Sequence, residues 1–454
     1  MSFSRFRFLP LAAVWLGGVT AFAAPPNRRA KPAGTTPKPP RTAPAVPAVP
    51  APPAPEVAPQ PSTGEGDQIH PPPQIDWTAI AELPPRPGQP KAAGLGGVFS
   101  GAQGDVLMIA GGTNYPSGEL WAGGKKAWCA DIYVLQRRYT PEEKTAYEWL
   151  PCDTKLPHSL AYGASAPLPD GVLCIGGAEQ DKVTDACFAM KWNAAEKKVE
   201  FEDYPKLPVP LACSSAVRLG STVYVLGGTS RMPGGRATNS FYALDLAKKA
   251  DAAAFTWQTL APWDGPARIF PIAAASLENG EESIYLCGGR DPGSDPDFLT
   301  DLHKFNPVKK DWSILGDIVD PRGHSSSVMA APAFHVAPHH LVIVSGTDQE
   351  LVKMLENNER KIDAVDPAEE AARKKYNQIL LENYPGYTRT VMAYDAQAGE
   401  WSGIGNFPGP ACLTSPSVNW DGTIIIPGGE TGPGKRSATI WQATIRKKAA
   451  VVEQ

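Results

Sequence analysis

Six short apolar runs punctuate the chain, and each ends on a pair of small residues. Val106-Leu-Met-Ile109 leads through Ala110 into Gly111-Gly112, Val172-Leu-Cys-Ile175 into Gly176-Gly177, and Val223-Tyr-Val-Leu226 into Gly227-Gly228. Ile284-Tyr-Leu-Cys287 precedes Gly288-Gly289, and Ile424-Ile-Ile-Pro427 precedes Gly428-Gly429. Leu341-Val-Ile-Val344 before Ser345-Gly346 is a weaker sixth copy. Apolar residues without polar alternation predict strands buried on both faces. The glycine pair predicts a sharp backbone turn where side chains would clash.

The runs recur at intervals of 51 to 83 residues, close to the roughly 50-residue period of kelch-type propeller blades. The predicted fold is therefore all-β, a six-bladed kelch-type β-propeller over residues 76–446. Each blade should hold four antiparallel strands, a to d from the axis outward. In the first blade these fall near Gly94–Ser100, at Val106–Ala110, at Asp131–Leu135 and near Tyr147–Leu150. Strand c repeats as Cys187–Trp192, Ser240–Leu246, Asp301–Phe305, Thr390–Tyr394 and Ser437–Thr444, and Trp149, Trp257, Trp312 and Trp401 mark outer strands. After Ile445 the chain ends without a fourth strand for the sixth blade, so Asp76-Trp-Thr-Ala-Ile80 should supply it, closing the ring and removing a free sheet edge. Seven blades would need a further apolar–glycine unit, and six are visible. Residues 350–384 break the pattern: Glu350–Arg360 and Pro367–Leu381 carry helical spacing and strong helix formers. They predict a helical insertion in blade five, either a lid over the ring or decoration.

Composition changes the picture mainly at the ends. Residues 1–23 have the build of a secretory signal, with Arg5 and Arg7 ahead of an apolar stretch from Phe8 to Phe22 and an Ala21-Phe22-Ala23 cleavage site; an uncleaved anchor is the alternative. Residues 24–75 hold seventeen prolines between Pro25 and Pro73, which predicts an extended tether or, less simply, a proline-rich ligand. Residues 447–454 are a short tail. The expectation is an exported protein, periplasmic or extracellular, with no membrane span in the mature form. A net charge of −4 lacks the basic footprint of nucleic-acid binding. Seven cysteines in no C-x-x-C pair give no zinc spacing, so no metal is expected, and a disulfide stays unassigned.

Topology selects which polar residues can meet. In an antiparallel blade the b–c and d–a connections share one face. That gathers Asn114, Glu179, Arg231, Arg290, Asp348 and Glu430 with His158, Tyr162, Arg268, Arg322 and His324 around one axial mouth, the kind of concavity favoured by ligands. The alternative for Arg268, Arg322 and His324 is that they stitch neighbouring blades. Glu430 and Arg436, in the Gly/Pro-rich stretch Gly428–Ser437, suit a general base beside an anion clamp. The long first-blade loop Asn114–Trp128, with Trp121, Lys125, Lys126 and Trp128, suits the stacking and hydrogen bonding of a sugar.

Several of these stretches resemble a known family. Gly111-Gly-Thr-Asn-Tyr-Pro116, Gly123-Gly-Lys-Lys-Ala-Trp128 and Asp131-Ile-Tyr-Val134 are similar to the first-blade signature of cyclically permuted mutarotases, kelch relatives of the N-acetylneuraminate epimerases. Leu160-Ala-Tyr-Gly-Ala-Ser165, Pro385-Gly-Tyr-Thr-Arg389 and Gly429-Glu-Thr-Gly-Pro-Gly-Lys-Arg436 extend the resemblance over about Asp76 to Ile445. It implies that Glu430 is the proton acceptor, with Arg436 its neighbouring base. Two departures stand out. Cys129 replaces the histidine usual after the first-blade tryptophan, and blade five has Ser345-Gly346 for the double glycine.

The resemblance implies an isomerase that interconverts anomers of a free sugar, with N-acetylneuraminic (sialic) acid as substrate and no cofactor. Glu430 and Arg436 would be its catalytic pair, with Asn114, Tyr162, Arg268, Arg290, Arg322 and Asp348 binding substrate. Arg290 and Arg436 are the candidates for the substrate carboxylate. The alternative is a non-catalytic propeller that binds glycan or protein at the same face. A copper radical oxidase shares the architecture, but its Tyr/His copper set finds no support in the seven histidines. Oligomeric state stays open.

Overall fold

Every apolar run ahead of a glycine pair becomes the second strand of an antiparallel sheet of four strands, joined in the first by a short fifth, Ala127–Trp128. The computed structural model describes residues 71–446, other than residues 87, 140–144, 279, 296, 348 and 363–365. The expected signal and tether (residues 1–70 of them) and the tail at 447–454 lie outside the described residues, as does Asp348. Six sheets follow one another along the chain as a six-bladed β-propeller.

Blade one comprises Gly96–Gln103, Val106–Asn114, Ile132–Tyr139 and Thr145–Leu150. Blade two comprises Ala164–Leu168, Gly171–Ile175, Cys187–Asn193 and Lys198–Tyr204. Blade three runs through Ser215–Leu219, Thr222–Leu226, Phe241–Asp245 and Gln258–Thr259. Blade four runs through Ile272–Glu278, Glu281–Cys287, Asp301–Asn306 and Asp311–Asp317. Blade five holds Ala333–Val336, His340–Gly346, Thr388–Asp395 and Glu400–Asn406. Blade six holds Val418–Trp420, Thr423–Gly432 and Lys435–Ile445, and its outer strand is Ile75–Glu82 from the other end of the chain. That strand pairs Asp76 with Thr444 and Ala79 with Trp441, Trp77 packs edge-on to Phe407, 4.9 Å between ring centres, and Arg446 grips Asp76.

The apolar runs of the second strands are buried, from Val106–Ala110 to Ile424–Ile426, because neighbouring blades cover both faces. Outer strands such as Asp311–Asp317 are mostly exposed. Blade three departs from expectation: its outer strand is only two residues long, and Trp257 sits just ahead of it, donating Nε1–H to the Pro205 carbonyl at 2.8 Å.

Two backbone devices join the blades. The second glycine of a pair donates its N–H to the entry of the next blade, Gly112 to Leu160, Gly177 to Leu211, Gly228 to Arg268, Gly289 to Val328 and Gly429 to Leu95, at 2.7–2.9 Å. Around the axis a closed circle of six hydrogen bonds runs through one residue per blade. Tyr162 donates to Gly97, Cys213 to Tyr162, Phe270 to Cys213, Ala330 to Phe270, Thr414 to Ala330 and Gly97 to Thr414, at 2.7–3.0 Å. All six have φ between 51° and 71°, a region that costs a non-glycine residue about 1–2 kcal/mol and that the circle holds in place.

The insertion in blade five is a pair of helices, α1 (Gln349–Ile362) and α2 (Pro367–Glu382). Proline at the first position and Asp366 before it start α2: the Asp366 carboxylate accepts from Glu369 N–H at 3.0 Å. Val352, Leu355, Leu381 and Tyr384 join the same buried cluster as Tyr162, Cys213, Phe270 and Leu413. The insertion therefore packs onto the axial residues.

Candidate functional site

The stretch read as a Gly/Pro loop is the tip of a β-hairpin. Its two strands run on to Gly432 and Lys435, and Pro433-Gly434 alone makes the turn. Glu430 and Arg436 are thus directly cross-strand partners, held apart from simple pleating by irregularities at Gly429 and between Glu430 and Gly432.

Glu430 is 1% exposed. Its Oε1 accepts a hydrogen bond from the Tyr162 hydroxyl at 2.9 Å and lies 3.0 Å from Arg436 Nη2. The Tyr162 oxygen is also 3.0 Å from Thr113 Oγ1. Burial, then the negative charge of Glu430, pushes the Tyr162 hydroxyl well above the usual tyrosine range, so it remains a donor. Arg436 spends Nη1 on the Lys435 carbonyl at 3.0 Å. Its Nη2 contact with Glu430 is an ion pair without hydrogen-bond alignment, and neither Nη2 nor Nε has an acceptor. Burial opposes its charge, but Glu430 and the hydroxyls of Tyr162 and Tyr115 hold it raised. Buried donors normally find partners, and these two have none among the described residues.

The first blade supplies the opposite wall. Thr113 pairs with Trp128 and Asn114 with Ala127. Residues directly opposite share a face and neighbours alternate, so Thr113, Tyr115, Lys126 and Trp128 lie on the side of Tyr162 and Arg436. The contacts agree. The Arg436 guanidinium sits 5.3 Å from the Tyr115 ring centre, and Lys126 Nζ sits 4.4 Å from that of Tyr162 and 5.2 Å from that of Trp128. Burial pushes the Lys126 ammonium down to about 8, Glu430 resisting and Arg436 assisting. Burial likewise raises Tyr115 to about 12. Lys435 Nζ stands 4.9 Å over Trp121. Backbone room comes from Gly94-Leu-Gly-Gly97: a Cβ on Gly96 would fall 2.6 Å from the Glu430 side chain, and one on Gly97 2.8 Å from the Tyr162 ring.

Of the expected site residues, Glu430, Arg436 and Tyr162 come together. The other described ones go elsewhere. Asn114 faces away and lines a small cavity with Leu95, Arg86 and Tyr133. Arg268 is fully buried and forks onto Asp301 at 2.8 and 2.7 Å while donating to the Gly288 carbonyl. It stitches blade four. Arg290 is consumed by two carboxylates, Asp297 and Glu356 of α1, so it anchors the insertion rather than offering a free carboxylate clamp. Arg322 is exposed and folds back on Asp320, whose side chain also caps the His324 N–H. Glu179 pairs with Lys182 at 3.0 Å and lies 3.9 Å from His158, and Arg231 donates to the Gly234 carbonyl. Sequence reasoning passed over Thr113, Tyr115, Gly96 and Gly97 as site residues. The run Gly94-Leu-Gly-Gly97 was the visible signal, since closely spaced glycines mark close approach.

A larger cavity, about 730 Å³, lies between α1 and α2, lined by Lys353, Met354, Asn357, Arg373 and Tyr376 among others. It contains none of the Glu430 cluster. All seven cysteines are free. Among the described residues, no group of three or more His, Cys, Asp or Glu is placed to hold a metal, and no helix is long and apolar enough to cross a membrane.

Comparison with known proteins matches residues 204–454, just over half the chain, to the sequence model of the family described as N-acetylneuraminate epimerase. Among similar proteins, the N-acetylneuraminate epimerase of Brucella melitensis is 31% identical over 134 residues, 27% of this chain and 32% of that protein. Those of Haemophilus influenzae and Pasteurella multocida are 25% and 26% identical over 252 and 250 residues, each 54% of this chain and 60% and 59% of theirs. The matches thus span a third to three-fifths of these relatives' length. Given the family match, which includes the Glu430–Arg436 hairpin, the chain belongs to the N-acetylneuraminate epimerase family.

Proposed function

We propose that the protein is an exported mutarotase that interconverts the anomers of a free sugar, N-acetylneuraminic acid, by general acid–base ring opening. The observation that carries this reading is the buried carboxylate of Glu430 held between a tyrosine hydroxyl and an arginine with an unoccupied edge. The relatives' names supply the substrate. Mutarotation needs a base to take the anomeric hydroxyl proton and a proton for the ring oxygen, so that the ring opens to the carbonyl form and recloses on either face. Glu430 is the base. Arg436 receives the sugar carboxylate along its Nε–Nη2 edge, where a planar anion makes two parallel hydrogen bonds. That contact competes with Glu430 for the guanidinium charge, so binding of the substrate frees Glu430 to take up a proton. Trp121 and Trp128 offer aromatic faces to the apolar side of the ring. Asp348, which lies outside the described residues, remains a further candidate for substrate contact. No cofactor takes part.

The test is anomer exchange of N-acetylneuraminic acid followed by NMR with catalytic protein and with Glu430→Gln. The parent should accelerate exchange and the variant should not. Equal rates would remove Glu430 from the mechanism, and broadening without acceleration would point to a binding propeller.

A further inference from the structure

We propose that Lys126 is the proton donor to the ring oxygen during opening, the acid that complements Glu430; this rests on the mutarotase reading above. A single carboxylate can serve both oxygens of the anomeric carbon only if both of its own oxygens are open to them. Here the Tyr162 hydroxyl and Arg436 both converge on Oε1 of Glu430. That leaves Oε2 for the anomeric proton and calls for a second group at the ring oxygen.

Of the proton-bearing side chains around Glu430, Tyr115 and Cys213 are raised by burial and keep their protons. Tyr162 already gives its proton to Glu430 and holds it far too tightly. Arg436 is raised further above its ordinary value and stays a cation. Lys126 differs. It extends the first-blade hairpin one step beyond the Asn114–Ala127 pair, on the face shared with Thr113 and Tyr115. Its Nζ lies over the ring of the tyrosine that touches Glu430. The charged and titratable groups that face it include Glu430 and Arg436 from the blade-six hairpin, Cys213 from the entry to blade three and Tyr162 from the entry to blade two. The Cys213 thiol and the Tyr162 hydroxyl are both raised by burial and remain neutral. Burial therefore sets the lysine near 8, where it gives and regains a proton readily.

The proton balance closes without another reactant. Glu430 takes the proton of the anomeric hydroxyl, and that O–H pair becomes the second bond of the carbonyl. The bond from the anomeric carbon to the ring oxygen breaks, and the ring oxygen takes its pair together with a proton from the Lys126 ammonium. Reclosure on the other face reverses both transfers and returns the lysine to its ammonium form.

The experiment is the pH profile of anomer exchange between pH 6 and 9.5, corrected for the uncatalysed rate, for the parent and for Lys126→Arg. Arginine keeps the charge and the stacking but does not release a proton in this range. The parent should lose rate as pH rises through about 8, and Lys126→Arg should lose roughly 100-fold in kcat with little change in KM and no such alkaline limb. A variant with the parent's rate and limb overturns the proposal. So does a parent profile that stays flat to pH 9.5, which needs no variant. If Lys126→Arg melts below the assay temperature, Lys126→Met is measured in its place with the same expectation. A parent that gives no acceleration at any pH fails the mutarotase reading itself, and the inference with it; an active parent with an indifferent Lys126 fails the inference alone.

Discussion

Gly288→Ala should destabilise the propeller by much more than a change of conformational preference can explain. Gly288 has φ of 57°, and a Cβ there would stand 2.1 Å from the carbonyl oxygen of Val328, the entry to blade five. That oxygen accepts the Gly289 N–H at 2.7 Å, a link between two blades. A normal carbon–oxygen contact needs roughly 1 Å more, so the carbonyl must retreat and the bond is lost. Left-handed strain costs about 1–2 kcal/mol, and a buried donor and acceptor left without each other about 1–3 kcal/mol more. Together they predict a loss of about 2–5 kcal/mol. Gly104→Ala is the control, because Gly104 has φ of 56° and nothing within 4 Å of its Cβ position. It should lose only the strain, about 1 kcal/mol after the smaller entropy of the unfolded chain is counted. Thermal unfolding of the two variants should therefore differ by around 5 °C, at roughly 2 °C per kcal/mol for a chain of this size. Equal midpoints would refute the close-approach reasoning and leave conformational freedom as the sole reason for the glycine.

Two further outcomes follow from buried polar contacts. Tyr162→Phe removes one of the two contacts on Glu430 Oε1 and should cost about 1.5–3 kcal/mol as a charge-assisted hydrogen bond; an unfolding free energy from urea denaturation lowered by less than about 0.5 kcal/mol would show the bond to be idle. Asp301→Asn should cost about 3–5 kcal/mol at pH 7, because it strands the fully buried Arg268. Burial alone would raise the Asp301 carboxyl, yet hydrogen bonds from His303 and Arg268 outweigh it and hold it well below the usual range. A depressed carboxyl stabilises above its unfolded value and loses that contribution as pH falls, so the gap between parent and variant should narrow below about pH 4. A gap unchanged from pH 7 to pH 3 would contradict this.

The sequence made the second strands legible because burial on both faces forbids polar alternation, and Val106–Ile109 or Ile284–Cys287 reads the same in any setting. The orphan strand at Asp76–Ile80 was legible because it stands ahead of the first blade without a partner of its own, and it pairs with the last strand. Glu430 and Tyr162 could be placed on one mouth from strand direction, and Arg436 beside Glu430 from its place in the stretch Gly428–Ser437. The axial circle could not be read. Tyr162, Cys213, Phe270, Ala330 and Thr414 share no chemistry, only a backbone conformation imposed by neighbouring blades. Asn114 was misplaced by one residue: Thr113 and Tyr115 on either side of it face Glu430, and a single step along a strand changes the face. Arg268 and Arg290 looked available because sequence does not reveal Asp301, Asp297 and Glu356 waiting beside them.

The central claim is that Glu430 moves the anomeric proton of a sugar bound at Arg436. Exchange NMR on N-acetylneuraminic acid measures that step directly, with the anomers as separate signals and the protein at catalytic concentration. Cross-peaks between the anomers should grow faster with the parent than in buffer and return to the buffer rate with Glu430→Gln, assayed well below its own melting point because the change strands the buried Arg436 and lowers stability. A well-folded Glu430→Gln that exchanges the anomers as fast as the parent would contradict the account.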